Sequence, residues 1–251
     1  MEKIKKFKEI IESSNSIVFF GGAGVSTESK IPDFRSVNGI YNQKYKYSPE
    51  EILSHHFFLE KTKEFYEFYK EKMIYKDVLP NVTHKALTKL EEEGKLKAII
   101  TQNIDGLHQD AGSVNVLELH GSIKRNHCMK CGAFYELDDV LNLAGIPKCR
   151  CCGGTIKPDV VLYEEPLDSK VLDSAINNIE NCDTLIVGGT SLTVYPAAGL
   201  VRYFRGKNLI IINKDITKYD KYATLVICDS LGNVFKEILW EEQQVLFLFW
   251  G

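Results

Sequence analysis

Short apolar runs recur along the chain and are separated by segments with helical spacing. The runs are rich in branched and aromatic residues, as expected of buried strands, and they span residues 17–20, 98–101, 116–119, 160–163, 185–187, 209–212 and 225–227. Segments such as 83–93 and 168–181 instead place their apolar residues on one helical face. Strands that alternate with helices predict an α/β fold with a doubly wound, mostly parallel sheet.

Two segments depart from this alternation. Ser48-Pro49-Glu50-Glu51 has the pattern of a capping box with proline at the first helical position, and residues 61–75 continue as a second helix. We therefore predict a helical module at 38–80. Residues 122–157 contain turn residues and little periodicity, which indicates a second insert. The prediction is a single domain, 1–251, that carries both inserts.

Polar residues follow the ends of four predicted strands. They are Gly22-Ala23-Gly24, Gln102-Asn103-Ile104-Asp105, Gly189-Thr190-Ser191 and Asn213-Lys214. Open α/β sheets bind ligands at the carboxyl ends of their strands, so we expect these residues to line one crevice. We expect the glycine turn to open a helix that could hold a pyrophosphate. Alone this signal is weak, because Thr27 replaces the third glycine of the dinucleotide fingerprint and a structural turn explains the pattern equally well.

Composition narrows the classes of partner. The 251 residues are 44% hydrophobic, enough for a sizeable core, and 31 basic against 34 acidic residues leave a net charge of −3. This balance predicts no direct binding to nucleic acid or to an anionic membrane. The N-terminal residues lack the long apolar run of a signal peptide, and the apolar run 245–250 is too short to cross a bilayer. We expect a cytoplasmic protein.

Five of the seven cysteines lie in one short stretch, which favours a metal site over disulfides. Cys128-x-x-Cys131 and Cys149-x-x-Cys152 have the spacing of two zinc knuckles. Four thiolates fill a tetrahedral site and leave no position for water, so one structural zinc ion is predicted. Cys151 is a rival ligand to Cys149 or Cys152; we favour the second pair because it repeats the first spacing. Two further cysteines, Cys182 and Cys228, are predicted to be buried apolar residues.

Longer motifs resemble those of the sirtuin family. Residues 22–36, which include Pro32-Asp33-Phe34-Arg35, are similar to the first signature of that family, and residues 101–108 are similar to the second. The resemblance runs from about residue 4 to residue 239 and implies a Rossmann-like NAD-binding core. Two positions depart from the family pattern, because Lys30 and Glu164 stand where the family has glycine.

The resemblance implies roles for individual residues. Asn103, Ile104 and Asp105 would form the nicotinamide pocket, with Asn103 and Asp105 orienting the reacting groups. His120, which follows the run at 116–119, would be the general base, since an imidazole accepts protons near neutral pH. The other implied cofactor contacts are Gly22, Ala23, Gly24, Thr27, Phe34, Arg35, Gln102, Gly189, Thr190, Ser191, Asn213, Lys214 and Asp229. By spacing alone, Asn103 and Asp105 also suit a turn in which side chains bond their own backbone.

The implied activity is NAD-dependent deacetylation of protein lysine, in which NAD is consumed and the acetyl group leaves on ADP-ribose. Val160, Val161, Leu162 and Tyr163 would pair their backbone with the acetylated peptide. Family members that prefer acidic acyl groups carry a tyrosine and an arginine in the helical module. The comparable stretch here is Tyr69-Lys70-Glu71-Lys72, and lysine lacks arginine's bidentate fork, so deacetylation is predicted over desuccinylation.

Other functions stay open at this point. The alternatives are desuccinylation or another deacylation, protein ADP-ribosylation, a conventional NAD-dependent dehydrogenase, and a non-catalytic module that binds ADP-ribose or a peptide. Release of nicotinamide separates deacylation from dehydrogenation, because a dehydrogenase regenerates its cofactor. A His120→Ala variant with full function would favour the non-catalytic module.

Overall fold

A computed structural model describes residues 2–34, 39–42 and 45–239. Its main sheet has six parallel strands in the order β3-β2-β1-β7-β8-β9. The strands are β1 (Ile17–Gly21), β2 (Leu96–Thr101), β3 (Val116–Glu118), β7 (Thr184–Gly188), β8 (Asn208–Ile212) and β9 (Leu225–Ile227). Strand β1 pairs with β2 on one side and β7 on the other, so the order of strands reverses there. Ligands bind at such a reversal in open α/β sheets.

Both faces of this sheet are covered. Helices α1 (Glu2–Ser13), α5 (Val82–Glu92) and α9 (Leu231–Leu239) pack on one face, around Phe19. On the other face, α8 (Ser169–Asn181) and a 3-10 segment, Ala197–Tyr203, pack around Phe20. Successive side chains of a strand point to opposite faces, and all five residues of β1 are buried. The continuous apolar runs in the sequence reflect this burial on both faces.

A small lobe projects from the carboxyl edge of the sheet. It contains α2 (Pro49–Ile52), α3 (His55–Glu60), α4 (Thr62–Lys72) and α7 (Leu137–Leu141). Its antiparallel sheet has the order β5-β4-β6, from β4 (Gly121–Cys128), β5 (Phe134–Glu136) and β6 (Ile156–Val160). Helix α6 (Leu107–Asp110) follows β2. The helical and cysteine-bearing segments share one apolar core, in which Phe58, Phe65, Tyr66 and Tyr69 pack with Ile156.

The predicted doubly wound parallel sheet is confirmed, but two local predictions are wrong. Residues 160–163 do not form a strand of the main sheet: β6 ends at Val160 in the small lobe, and the Tyr163 N–H donates to the Leu53 carbonyl. The glycine turn opens two 3-10 turns, Ala23–Val25 and Thr27–Ser29, instead of an α-helix. The Gly24 N–H is taken by the Gly189 carbonyl and the Val25 N–H by the Gly22 carbonyl, so the α-helical pattern does not begin.

Among the described residues, none of the helices combines the length and the apolar composition needed to span a bilayer. The apolar run 245–250 lies outside those residues. The module boundaries at 38–80 and 122–157 stay predictions.

Candidate active site

The glycine turn after β1 packs directly against the end of β7. The Gly22 N–H donates to the Gly188 carbonyl at 3.2 Å, and the Gly24 N–H donates to the Gly189 carbonyl at 2.8 Å. A Cβ atom on Gly24 would lie 2.7 Å from Gly189 Cα, a separation that real Cβ atoms do not show. Glycine is therefore required at Gly24 for close backbone contact, and the two strand ends form one continuous floor.

Gln102 ties the end of β2 to the same floor. Its backbone N–H donates to the Gly21 carbonyl at 3.0 Å, and its side-chain Nε2 donates to Thr190 Oγ1 at 3.1 Å. These bonds link the ends of three strands through a single residue. The bond from Nε2 also fixes the hydroxyl of Thr190, another predicted cofactor contact, beside the end of β2.

Asn103 and Asp105 are joined through a hydroxyl that sequence reasoning missed. Asn103 Nδ2 donates to Ser26 Oγ at 3.0 Å, and Ser26 Oγ donates to Asp105 Oδ2 at 2.6 Å. The Leu107 N–H donates to Asp105 Oδ1 at 2.9 Å, which is the bond to local backbone that the turn interpretation predicted. Burial raises the pKa of Asp105, and the bonds from Ser26 and Leu107 oppose that rise. The only sequence signal for Ser26 was a hydroxyl two residues after Gly24.

His120 lies at the start of the small lobe with its ring oriented by β2. Its Nδ1 is 2.9 Å from the Gln102 carbonyl, which can only accept, so Nδ1 carries the hydrogen and Nε2 keeps its lone pair. Burial lowers the pKa of His120 below its usual value, and the bond to Gln102 opposes this effect. The imidazole is therefore neutral at pH 7 and has one unprotonated nitrogen.

These groups share one cleft of about 840 Å³ between the sheet edge and the small lobe. Every predicted catalytic and cofactor residue that the structure describes lines it. They are Gly22, Ala23, Gly24, Thr27, Phe34, Gln102, Asn103, Ile104, Asp105, His120, Gly189, Thr190, Ser191, Asn213, Lys214 and Asp229. Arg35, the remaining predicted contact, lies outside the described residues. The proximity of these groups makes a two-substrate site feasible; their individual roles stay predictions.

The two positions that depart from the family glycine are both left-handed. Lys30 has φ 68° and Glu164 has φ 76°, and both line the cleft. Glycine reaches this region freely, whereas other residues adopt it at a cost. Both positions therefore have the left-handed backbone conformation that glycine favours, although each carries a charged side chain.

The cleft is also lined by the predicted peptide-binding segment, Val160, Val161, Leu162 and Tyr163. Several of its backbone groups are already bonded: the Val161 N–H to the His120 carbonyl, and the Leu162 N–H to a Glu165 carboxylate oxygen. Within the described part of the chain, the Val161 carbonyl and both backbone groups of Glu164 have no hydrogen-bond partner. Those are the groups available to an added strand.

Aromatic side chains connect the two sides of the cleft. The Phe34 and Tyr41 rings pack edge to face, with centroids 5.4 Å apart. The Tyr41 and Tyr163 hydroxyls are 2.7 Å apart and share a hydrogen bond. Phe34, on the segment that follows the glycine turn, is therefore in contact with the predicted peptide-binding segment through one tyrosine.

The four predicted metal ligands form a compact cluster at the tip of the small lobe. The sulfur atoms of Cys128, Cys131, Cys149 and Cys152 all lie within 4.8 Å of one another, and two of the pairs are 3.5 and 3.6 Å apart. A tetrahedral Zn–S distance of about 2.3 Å places the sulfurs about 3.8 Å apart, so the cluster fits a zinc ion. The Tyr135 hydroxyl donates to Cys149 Sγ at 3.1 Å. This bond, together with those from the backbone N–H groups of Cys152 and Cys151, lowers the pKa of that thiol to about 5.

The other cysteines stand apart from this cluster. Cys151, the rival ligand, is exposed and is not among the four clustered sulfurs. Cys182 is buried as predicted, but Cys228 is exposed, so that prediction is wrong. Cys228 follows the last residue of the edge strand β9, where the chain leaves the sheet for the surface.

Comparison with known proteins places this architecture in a family. The Sir2 family model matches residues 22–196, which include the glycine turn, Asn103, Asp105, His120 and the four clustered cysteines. The chain belongs to the Sir2 family, whose members are the sirtuins. Two curated relatives are an NAD-dependent protein deacetylase of Clostridium acetobutylicum, 60% identical over 95% of this chain and 99% of the relative, and one of Clostridium perfringens, 61% identical over 95% and 99%.

Solved structures of Sir2 proteins have the same fold. One, of Sir2 with a p53 peptide and NAD⁺, superposes with a TM-score of 0.84 at 38% identity and covers 97% of this chain and 99% of that one. Another, of Sir2 bound to an acetylated peptide, gives a TM-score of 0.85 at 37% identity and covers 96% and 99%. The sirtuin resemblance stated from the sequence is confirmed.

Proposed function

We propose that this Sir2 family chain is an NAD-dependent protein lysine deacetylase that releases nicotinamide and transfers the acetyl group to ADP-ribose. One observation carries the proposal: a single cleft holds the strand-end groups suited to a dinucleotide, an oriented neutral histidine and a segment with open backbone groups for a peptide. The curated relatives, which are named NAD-dependent protein deacetylases at about 60% identity, support the same activity.

The chemistry assigned to NAD is that of a consumed substrate. Cleavage of its bond to nicotinamide leaves an electron-poor ribose carbon, which the acetyl oxygen of the modified lysine captures. Asn103 and Asp105 would hold the nicotinamide amide and the ribose, because Ser26 fixes both side chains at the floor of the cleft. Phe34, which lies over the same cleft, would screen the reactive carbon from returning nicotinamide.

His120 is the proton acceptor in this scheme. Its Nε2 would take a proton from a ribose hydroxyl, which then attacks the captured acyl carbon, so that the acetyl group leaves on ADP-ribose and free lysine is released. The pKa of His120 is lowered, so the neutral form persists to below pH 6.5. Activity should therefore be level around neutral pH and decline only as His120 becomes protonated in acid.

Zinc has no part in these steps. The four cysteines that fit the ion would complete its coordination and leave no site for substrate or water. Cys128 ends β4, the strand that begins beside His120, and Cys131 lies in the turn that follows it. Cys149 and Cys152 lie in the loop that precedes β6. The ion would hold the framework of the small lobe against which the peptide binds.

The helical module favours acetyl over acidic acyl groups. Tyr69 is almost fully buried and is not a cleft residue, and Lys72, which lines the cleft, has its ammonium 2.8 Å from Glu71. Lysine lacks the two parallel N–H donors with which arginine binds a carboxylate. The charge of Lys72 is also partly compensated by Glu71. Comparable kcat/KM values for acetyl and succinyl peptides would contradict this preference.

The proposed activity is tested by incubating purified protein with an acetyl-lysine peptide, with and without NAD, and weighing the products. We expect deacetylated peptide and free nicotinamide only when NAD and the acetylated peptide are both present. Reduction of NAD without nicotinamide release would indicate a dehydrogenase. Transfer of ADP-ribose to the protein or peptide would indicate an ADP-ribosyltransferase.

We further propose a cytoplasmic location, supported by the three cysteines outside the zinc cluster, Cys151, Cys182 and Cys228, which are free thiols and suit a reducing compartment. Fractionation of cells with an antibody to the chain would test it, and recovery from the medium would contradict it.

A further inference from the structure

Glu164 stands where the family has glycine, next to the predicted peptide-binding segment. Its φ of 76° keeps the left-handed backbone although its side chain disfavours it. Non-glycine residues in this region are found at functional sites more often than elsewhere. Glu164 lines the cleft and directly follows Tyr163, the last residue of the predicted peptide-binding segment.

The Glu164 carboxylate is fixed instead of moving freely in solvent. One oxygen accepts from the His56 backbone N–H at 3.1 Å, and the other lies 2.8 Å from His56 Nδ1. His56 belongs to α3, so the helical module holds the carboxylate in place. Half of the Glu164 side chain, 51%, stays exposed.

Glu164 also differs from its neighbour Glu165 in its charged partners. The neighbouring Glu165 is 3.1 Å from the Lys157 ammonium, so those two charges cancel. Among the described residues, no lysine or arginine forms an ion pair with Glu164; its charge-capable neighbours are His56, 2.8 Å away, and His55, which acts on it at longer range. The pKa of Glu164 is lowered, first by the His56 backbone N–H, so the carboxylate is ionised at neutral pH.

We propose that Glu164 is a specificity-determining residue that favours acetylated peptides with a lysine or arginine side chain close to the acetyl-lysine. The inference rests on the proposed function. A strand added at the open Val161 carbonyl and Glu164 backbone groups would carry its neighbouring side chains past the fixed carboxylate. A basic side chain of the peptide would form an ion pair with the Glu164 carboxylate. An acidic side chain would be repelled by the same carboxylate, which His56 holds in place.

The test compares three peptides that share an acetyl-lysine and differ in carrying arginine, alanine or glutamate at the flanking positions, scanned one position at a time. Binding is measured by calorimetry and turnover by nicotinamide release. For the native chain, we expect the arginine peptide to bind about two- to fivefold more tightly than the alanine peptide at low salt, the range of an exposed ion pair. The advantage should shrink in 0.5 M salt.

Three variants test whether the preference depends on the charge at position 164. Glu164→Gln keeps an acceptor for the His56 N–H and should erase the arginine advantage, so that the arginine and alanine peptides bind equally tightly. Glu164→Lys should reverse the preference toward the glutamate peptide. Glu60→Gln removes an equal charge from an exposed position of α3 outside the cleft and should keep the native preference.

The outcomes distinguish this inference from the proposed function. Equal binding of the three peptides by the native chain, or the same change for all three in Glu164→Gln, would overturn the role of Glu164. If no peptide releases nicotinamide although the arginine preference in binding is present and depends on Glu164, the deacetylase assignment fails and the recognition role stands.

Discussion

The six-stranded sheet and the small lobe obtain their stability by different means. All five residues of β1 are buried between two helical layers, whereas only half of the eight residues of β4 are buried. At the far end of β4, a cluster of four cysteines adjoins the apolar core that the cysteine-bearing segment shares with the helical module. Asn103 and Asp105 follow a strand of the main sheet, whereas His120 and the predicted peptide-binding segment adjoin the small lobe, which carries the four clustered cysteines. Loss of the metal ion, low pH and relief of backbone strain should therefore change the stability and activity of the two regions to different extents.

Loss of zinc should give the largest effect, confined at first to the small lobe. Cys131→Ala removes one of the four ligands, and structural zinc ions contribute about 10 kcal/mol or more in small metal-dependent folds. We expect zinc content near zero, an early thermal transition and loss of deacetylation, measured by elemental analysis, calorimetry and peptide turnover. Cys151→Ala is the matched control and should keep one zinc ion. Full zinc in Cys131→Ala would contradict the ligand assignment.

Acid should act on the sheet region, through two histidines buried in contact with each other. The rings of His84 and His108 are 4.7 Å apart, and burial lowers the pKa of His84 to about 4 and that of His108 well below its usual value. Because the folded pKa values lie below the unfolded value near 6.5, stability is complete above pH 6.5 and falls as the pH drops. Each histidine contributes a loss of up to about 1.4 kcal/mol per pH unit between its unfolded and folded pKa values.

Denaturant unfolding between pH 4 and pH 8 measures this slope. His84→Gln cannot titrate in this range, so its free energy of unfolding should depend less on pH than that of the native chain. An identical slope in both proteins would show that acid acts elsewhere.

Ser26→Ala should weaken catalysis without unfolding either region. The variant removes the hydroxyl that bonds both Asn103 and Asp105 and leaves a buried carboxylate with one bond fewer. Hydrogen bonds to charged groups contribute about 1.5 to 3 kcal/mol, so kcat/KM for NAD should fall about 10- to 100-fold. Thr27→Ala, which removes a neighbouring hydroxyl bonded to the Gly24 carbonyl, is the control and should lose less. Equal losses would argue against a special role for Ser26.

Lys30→Gly should give the smallest effect and the opposite sign. Glycine adopts a φ of 68° without the steric cost that lysine bears, so the free energy of unfolding should rise by about 0.5 to 1 kcal/mol. Lys30→Ala removes the same charge but keeps a Cβ atom and should not be stabilised. A stabilised alanine variant would trace the gain to charge instead of backbone.

The sheet and its strand ends could be predicted because local patterns encode them. The run before Gly22 and the run before Gln102 are buried on both faces, so periodicity places both residues at the same sheet edge. The link through Ser26 could not be predicted, since it depends on the relative position of segments 79 residues apart. The shared core of Tyr66 and Ile156 likewise joins segments 90 residues apart.

The errors also have local physical causes. A strand-like apolar run at 160–163 was predicted to join a sheet, but the Tyr163 N–H and carbonyl bond to Leu53 and His55 of the helical module. Sequence periodicity reports burial and not the partner of a backbone group. The left-handed backbone at Lys30 and Glu164 follows from the fold around them, because neither side chain favours it.

In the proposed mechanism, His120 acts only after nicotinamide has left, as a proton acceptor toward the ribose. Exchange of labelled nicotinamide into NAD, measured with an acetyl-lysine peptide in the native chain and in His120→Ala, tests this directly. We expect the variant to keep peptide-dependent exchange while deacetylation falls by about 100-fold or more. Equal deacetylation by both proteins, or loss of exchange in a folded variant with normal NAD binding, would contradict the account.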